Sequence, residues 1–406
     1  MEATPPILVI GGGPAGTFAA IAAKKQNPDA RVILLTEEPC EPYEKPPLSK
    51  GVLLGKVSPA DAPIAGPGGL AAHGVALEPC ARCLAIDREA RALLLEDGRR
   101  LPYSTLVIAT GSLVRELPNL PIGMPHVHYL RTEADAQRLL ARLRDAPRLL
   151  VVGAGLIGLE VAASAAERGV RTRVLELAPR VLARVCDEEI GGRVEAAHRR
   201  HGVDLRLGCA VASVNVGDGG AEVLTTTGER FAADVIVVGT GVKPNDRLAA
   251  AAGLAVDEGI IVDEYCRTSD RAIFAAGDVV RFPGPHGPVR LENWRHAQDQ
   301  GAVAGRNAAG ANEAYRTIPS FWSEQYDLYI QGVGWPVEGT RGISRPMPGN
   351  AAALTFNVSD GRIVGAQGIN AQRDLAAVRR LIERRVPIDP AALADPAQPL
   401  AAMLKR

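Results

Sequence analysis

The sequence carries no net charge: 46 Lys plus Arg stand against 46 Asp plus Glu in 406 residues. A strongly basic nucleic-acid binder or a polyacidic tail is therefore not expected, although a local patch is still allowed. Cysteine is scarce. Six in this length do not make a disulfide scaffold, and a reducing compartment, the cytoplasm, is expected. The opening Met1-Glu2-Ala3-Thr4-Pro5-Pro6 has no basic stretch before an apolar one, so no signal peptide is expected. Long unbroken apolar runs are missing as well. Ile7–Ala23 is interrupted by Gly11-Gly12-Gly13-Pro14, and Leu149–Ala166 contains Glu160. A membrane helix needs about 20 continuous apolar residues. Each run reads instead as a buried strand, a tight turn and a helix, and no membrane partner is expected.

Glycine is the residue in excess, 43 of 406, and part of that excess sits in a repeat. Leu8-Val9-Ile10-Gly11-Gly12-Gly13-Pro14-Ala15-Gly16 has the pattern of Leu150-Val151-Val152-Gly153-Ala154-Gly155-Leu156-Ile157-Gly158. An Ala-rich helix follows each, then a strand ending near an acid: Val32–Leu35 before Glu37, and Val174-Leu175 before Glu176. Two further strands match in the same way, Leu106–Ala109 before Thr110-Gly111, and Val235–Val238 before Gly239-Thr240-Gly241. One G-x-G-x-x-G is a weak signal; a strand, helix and acid in register around it, twice, predicts two dinucleotide-binding units. Gly11 and Gly153 serve the tight turn, Gly13 and Gly155 the approach of a pyrophosphate, and Gly16 and Gly158 the packing of helix on strand. The helix N-terminus offers free N–H groups and a positive dipole end to phosphates.

Two nucleotides on one chain imply electron traffic, and the usual pair is a flavin with a nicotinamide. FAD is expected at the first site. Glu37 is placed for a ribose, and Ile273-Phe274-Ala275-Ala276-Gly277-Asp278 is an apolar strand ending in an acid that suits a ribityl chain. Glu176 ends the second strand of the second unit. Its charge favours NADH over NADPH, because like charges about 4 Å apart repel by roughly 4 kcal/mol even at an effective dielectric of 20. Arg173, Arg180 and Arg184 lie close enough in sequence to complicate this, and Glu176→Ala is expected to narrow the gap mainly by improving NADPH use. Cys80-Ala81-Arg82-Cys83 has no second half-site for zinc and leads into a strand, so neither a metal site nor a reactive thiol is expected.

The block Pro42-Tyr43-Glu44-Lys45-Pro46-Pro47-Leu48-Ser49-Lys50 is more specific than the glycine loops. With Leu130-Arg131-Thr132, Arg290–Trp294, Pro319–Gln325 and Leu393–Pro396, it resembles the FAD-dependent NADH:ferredoxin reductases of the putidaredoxin reductase and biphenyl dioxygenase type. The resemblance covers essentially the whole chain. It implies an α/β fold of the glutathione-reductase type: two Rossmann-like domains plus a C-terminal α+β domain. The boundaries expected are 1–111 with 250–318 for FAD, 112–249 for NAD, and 319–406.

By resemblance, the FAD contacts are Gly11, Gly13, Pro14, Ala15, Gly16, Glu37, Lys45, Lys50, Ala109, Thr110, Gly111, Arg131, Asp278 and the backbone of Cys83 and Trp294. Those for NADH are Gly153, Gly155, Ile157, Gly158, Glu160, Glu176 and Gly241. Lys50, partnered by Glu160, is the cation for the reduced flavin, and Trp322 is the aromatic near the nicotinamide. FAD is expected to be non-covalent, and the electron acceptor to be a 2Fe–2S ferredoxin serving a monooxygenase or an aromatic-ring dioxygenase. The chain itself is expected to be a monomer or a weak homodimer. Lys45 replaces the family's Arg, Ser320 an aromatic, and Glu324 an Asp. Two other classes share the architecture: flavoproteins reducing peroxide or disulfide, and signalling proteins of the apoptosis-inducing-factor type. The lack of a suitably placed cysteine counts against the first; neutral charge and the lack of a basic tract count against the second.

Overall fold

The computed structural model describes residues 4–335, 340–348 and 352–405, and the chain divides into two compact units. The first takes the chain up to Lys45, then Ser58–Leu113 and Val242–Thr317; the second takes Pro46–Val57, Val114–Gly241 and the chain from Ile318. The expected boundary 1–111 puts Pro46–Val57 with the first segment. Packing accounts for its place in the second: Leu53 is fully buried in one cluster with Leu139, Val151 and Leu159, and Ser164 Oγ donates to Ser49 O at 2.9 Å.

In the first unit a five-stranded parallel sheet runs in the order Ile273–Ala275, Thr105–Ile108, Ile7–Ile10, Val32–Leu35, Ala76–Glu78. Ile7–Ile10 is buried at every position, as a parallel strand covered on both faces must be. The helix Pro14–Gln26 follows, with Ala19, Ala20 and Ala23 fully or nearly fully buried. Small side chains let the helix Trp294–Ala308 lie close against it: a Cβ at Gly305 would stand 2.0 Å from Ala19 O.

The second unit repeats the plan. Its parallel sheet runs Asp204–Leu207, Arg171–Glu176, Arg148–Val152, Val235–Val238, Val127–Tyr129. Each parallel sheet is accompanied by a three-stranded antiparallel meander, at Cys83–Pro102 in the first unit and Val211–Ala233 in the second. The second unit also holds a five-stranded antiparallel sheet ordered Ser320–Gln325, Leu328–Gly334, Arg362–Ile369, Ala353–Ser359, Arg341–Arg345. The amphipathic helix Gln372–Glu383 packs Leu375, Val378 and Leu381 into a cluster with Leu354 and Phe356 of that sheet.

Candidate active site

The first glycine loop stands between the strand Ile7–Ile10 and the helix Pro14–Gln26. Gly11 has φ +117°, and a Cβ there would lie 2.1 Å from Ala109 O, so only glycine fits. A Cβ at Gly16 would lie 1.9 Å from Gly11 O, which closes helix on turn. Gly13 is the N-cap, Pro14 opens the helix and Ala15 is buried in its first turn. In front of Gly13 a Cβ would meet nothing within 4 Å. The second loop has the same geometry. Gly153 has φ +105° with its Cβ position 2.6 Å from Gly239 O, Gly158 is closed on Gly153 O, and Gly155 faces open space. Ile157, on the first turn of that helix, is half exposed. Neither helix start is capped by a side chain. By contrast Thr132, Asp187, Asn293 and Asp389 each cap the helix that follows them. Two uncapped helix starts with open space before them suit two pyrophosphates.

The acids after the second strands differ. Glu37 is 71% exposed, with Arg82 Nε 3.9 Å away. Glu176 accepts from Ala154 N–H at 2.6 Å and from Ala178 N–H at 2.8 Å, so it holds its own glycine loop. Of the arginines near the second loop, Arg173 is paired with Asp204 at 2.5 Å and lies over the Phe231 ring, and Arg180 donates to the carbonyls of Cys186 and Ala183. Arg184 reaches toward Gly241: its guanidinium is 3.2 Å from where a Cβ on that glycine would stand.

In the first unit, Ala109 N–H donates to Ile10 O at 2.8 Å, Thr110 Oγ1 donates to Asn245 O at 2.8 Å, and Gly111 O accepts from Asn245 N–H. Asp278 follows the strand Ile273–Ala275 and accepts from Ser112 Oγ at 3.1 Å. Trp294 opens its helix and meets Phe18 edge-on, with ring centroids 6.1 Å apart. Burial pushes the Glu44 carboxyl above the usual range and outweighs the opposing influence of nearby Trp294. Lys45 pairs with Glu38 at 2.9 Å, and Tyr43 donates to the same carboxylate. The lysine acts there as a point charge. Cys83 begins a strand and donates to Ala85 O; burial, with the Glu37 charge adding to it, pushes its thiol up to about 11. A neutral thiol of this kind is no nucleophile. Among the described residues no cysteine is joined in a disulfide, and no group of three or more His, Cys, Asp or Glu is arranged to hold a metal.

The second unit holds a buried polar cluster. Glu160 lies on the helix Leu156–Glu167 and is 2% exposed. A buried carboxylate must be paired or it costs several kcal/mol. Lys50 Nζ is 3.0 Å from Glu160 Oε2, Ser49 Oγ donates to the same oxygen, and Ser323 Oγ donates to Oε1 at 2.6 Å. The structure thus brings together Lys50 and Glu160, the two residues that the family resemblance names as partners. Ser49 and Ser323 were not singled out there; the available signal was a lone Glu in the apolar run Leu156–Ala166, which had to find donors. Ser323 and Gln325 share the buried face of the strand Ser320–Gln325, and Trp322, half-buried, takes the opposite face. Arg131 precedes the helix Glu133–Asp145, its N–H donating to Asp135.

Among the described residues no helix is long and apolar enough to cross a membrane. Residues 5–301 match the family described as pyridine nucleotide-disulphide oxidoreductase, and residues 320–404 the reductase C-terminal family. The chain is 41% identical over 397 residues to the anthranilate 1,2-dioxygenase system ferredoxin–NAD(+) reductase component of Burkholderia cepacia, covering 96% of this chain and 97% of that one. It is 36% identical over 392 residues to the rhodocoxin reductase of Rhodococcus erythropolis, covering 96% and 92%. The crystal structure of a covalent putidaredoxin reductase–putidaredoxin complex aligns with a TM-score of 0.93 at 32% identity, covering 100% of this chain and 99% of that one. The chain belongs to the pyridine nucleotide-disulphide oxidoreductase family and has its glutathione-reductase-like fold, two Rossmann-like units with a C-terminal α+β domain.

Proposed function

We propose that the protein is an FAD-dependent ferredoxin reductase that oxidises NADH and passes electrons singly to a 2Fe–2S ferredoxin serving an oxygenase. The observation that carries this is the doubled glycine cradle, in a chain whose full-length relatives are named as reductase components of oxygenase systems. When bound, FAD converts the two-electron hydride chemistry of NADH into one-electron steps that an iron–sulfur protein can take. The finer division is 1–111, less Pro46–Val57, which packs in the second unit, with 250–318 for FAD, 112–249 for NAD, and 319–406 for the C-terminal domain. Six cysteines in 406 residues, too few for a disulfide scaffold, support a cytoplasmic location.

The chain's own residues have separable tasks. In the first unit, Gly13 leaves room for a pyrophosphate at an uncapped helix start, Glu37 is exposed for a ribose, and Asp278 is steadied by Ser112. In the second unit, Gly155 leaves the same room, and Glu176 keeps its loop in shape and would offer its remaining lone pairs to a ribose. With the cofactors bound, Lys50 would offer a positive charge to the negative charge that hydride transfer develops, its ammonium held by Glu160. Trp322 would be the aromatic toward a bound nicotinamide. The test is NADH oxidation with cytochrome c, with and without an added 2Fe–2S ferredoxin. Turnover should depend strongly on ferredoxin; equal rates without it would overturn the assignment.

A further inference from the structure

The Lys50–Glu160 pair is not isolated. Beyond Ser323, Gln325 Nε2 donates to Ser323 Oγ at 3.0 Å, and Gln325 Oε1 lies 2.8 Å from His198 Nε2. Tyr326 Oη lies 3.3 Å from His198 Nδ1 and its ring stacks on His201 at 3.7 Å. Glu160, Ser323, Gln325 and His198 are all buried, and they come from three elements far apart in sequence: the helix Leu156–Glu167, the strand Ser320–Gln325 and the helix Glu188–Arg200.

Elementary hydrogen-bond capacity gives this chain one direction. An ionised Glu160 only accepts, so Ser323 donates to it. The Ser323 lone pair then accepts from the Gln325 amide, whose NH2 must face the serine. The amide oxygen therefore faces His198, whose Nε2 must carry the proton. His198 Nδ1 is left to accept from Tyr326. Burial pushes the His198 pKa down to about 4, which fits the neutral ring that this tautomer requires. The titratable groups facing the chain are Lys50 at one end, and Tyr326 and His201 at the other, with Glu167 acting on Tyr326.

We propose that His198, Gln325 and Ser323 form a one-way hydrogen-bond chain that positions the Lys50–Glu160 pair, which makes His198 a remote positioning residue for hydride transfer. The inference rests on the reading that Lys50 and Glu160 serve that step. Without the His198 N–H, the amide is free to rotate and present its oxygen to Ser323. The serine hydroxyl then turns from Glu160 to Gln325, and Glu160 loses one of its three side-chain donors. Stability alone does not call for such an arrangement, because well-packed apolar side chains replace buried polar networks at no loss. A fully satisfied network instead fixes one geometry.

The experiment uses the FAD-loaded enzyme. Nitrogen-15 NMR at neutral pH should show His198 as the Nε2–H tautomer; the Nδ1–H tautomer would overturn the chain. In stopped-flow reduction by NADH, His198→Phe, Gln325→Leu and Ser323→Ala should each lower the limiting rate about tenfold. FAD content and the Kd for NADH should stay within about twofold. Ser323→Thr, which keeps the hydroxyl, should restore the rate. Combining His198→Phe with Ser323→Ala should cost no more than Ser323→Ala alone, because the two act through one path. Wild-type rates in Ser323→Ala, a small change that a buried strand tolerates, would sink the proposal. Lys50→Met in the same assay separates the causes: if it too leaves the rate unchanged, the reading of the ion pair fails. If it slows reduction while the chain variants do not, only the positioning role fails.

Discussion

The two glycine loops are built alike and finished differently. Both turn on a glycine with positive φ, both begin a helix without a side-chain cap, and both leave open space at the N-cap. The acids that follow part company. Glu37 stands in solvent with only a loose approach from Arg82, whereas Glu176 is fastened by two backbone N–H groups, one of them from within its own loop. The first acid is free to follow a ligand. The second is part of the wall, so the second cradle is shaped before a nucleotide arrives. It also has little freedom to swing from a 2′-phosphate, which strengthens the expected preference for NADH.

The widest separation between the loops comes from substituting their turn glycines. Gly11→Ala sets a Cβ against Ala109 O at a φ that L-residues rarely adopt, and should yield protein with at least tenfold less bound FAD. Gly153→Ala should leave the protein yellow and raise the Kd for NADH at least tenfold. Absorbance per chain and a binding titration measure both. Equal loss of FAD in the two variants would break the division of labour.

Truncating the acids should give a smaller contrast. Glu176→Ala removes two charge-assisted hydrogen bonds, each worth about 1.5–3 kcal/mol in a favourable setting. The sequence reading expected the NADPH gap to narrow mainly through better NADPH use. The latch on Ala154 adds a second effect: the KM for NADH should rise about tenfold as well. Glu37→Ala removes only the hydrogen bonds to the FAD ribose and leaves its loop intact, so FAD affinity should fall a few-fold while the KM for NADH stays unchanged. Steady-state kinetics with both nucleotides and FAD titration of the apoprotein decide this, and a large effect at Glu37 would reverse the contrast.

Each unit also buries one histidine. Burial lowers His296 of the first unit to about 3 and His198 of the second to about 4. In the unfolded chain each takes a proton near pH 6.5. Between that pH and the folded values the unfolded state binds more protons, so stability falls as pH falls. The slope is at most about 1.4 kcal/mol per pH unit for each histidine. Urea unfolding at pH 7, 6 and 5 should show this loss. His198→Phe and His296→Phe should each flatten the curve by one proton; unchanged curves would mean the rings are not held neutral.

Much of this plan was legible in the sequence because its signals are local. Gly11–Gly16 and Gly153–Gly158 announce their turns within a few residues, and Pro-Pro-Leu-Ser-Lys announces Lys50. Glu160 gave half of its message: a carboxylate in an apolar helix is buried and needs partners. Its donors were not legible, because Ser49 and Ser323 lie 111 and 163 residues away and carry no periodic pattern. His198 and Gln325, 127 residues apart, were hidden for the same reason. The second role of Glu176 was missed differently. Its position matched the ribose-binding pattern, and nothing in that pattern says that the carboxylate also fastens the loop.

The chain is expected to carry one redox centre, a bound flavin, and no working disulfide. An anaerobic titration of the purified yellow protein with NADH tests it directly. One equivalent of NADH per FAD should bring the flavin absorbance to its end point, and replacing Cys40, Cys80 and Cys83 by serine should leave that stoichiometry unchanged. A requirement for two equivalents, reduced to one by the serine substitutions, would contradict the account and make the protein a disulfide-using reductase.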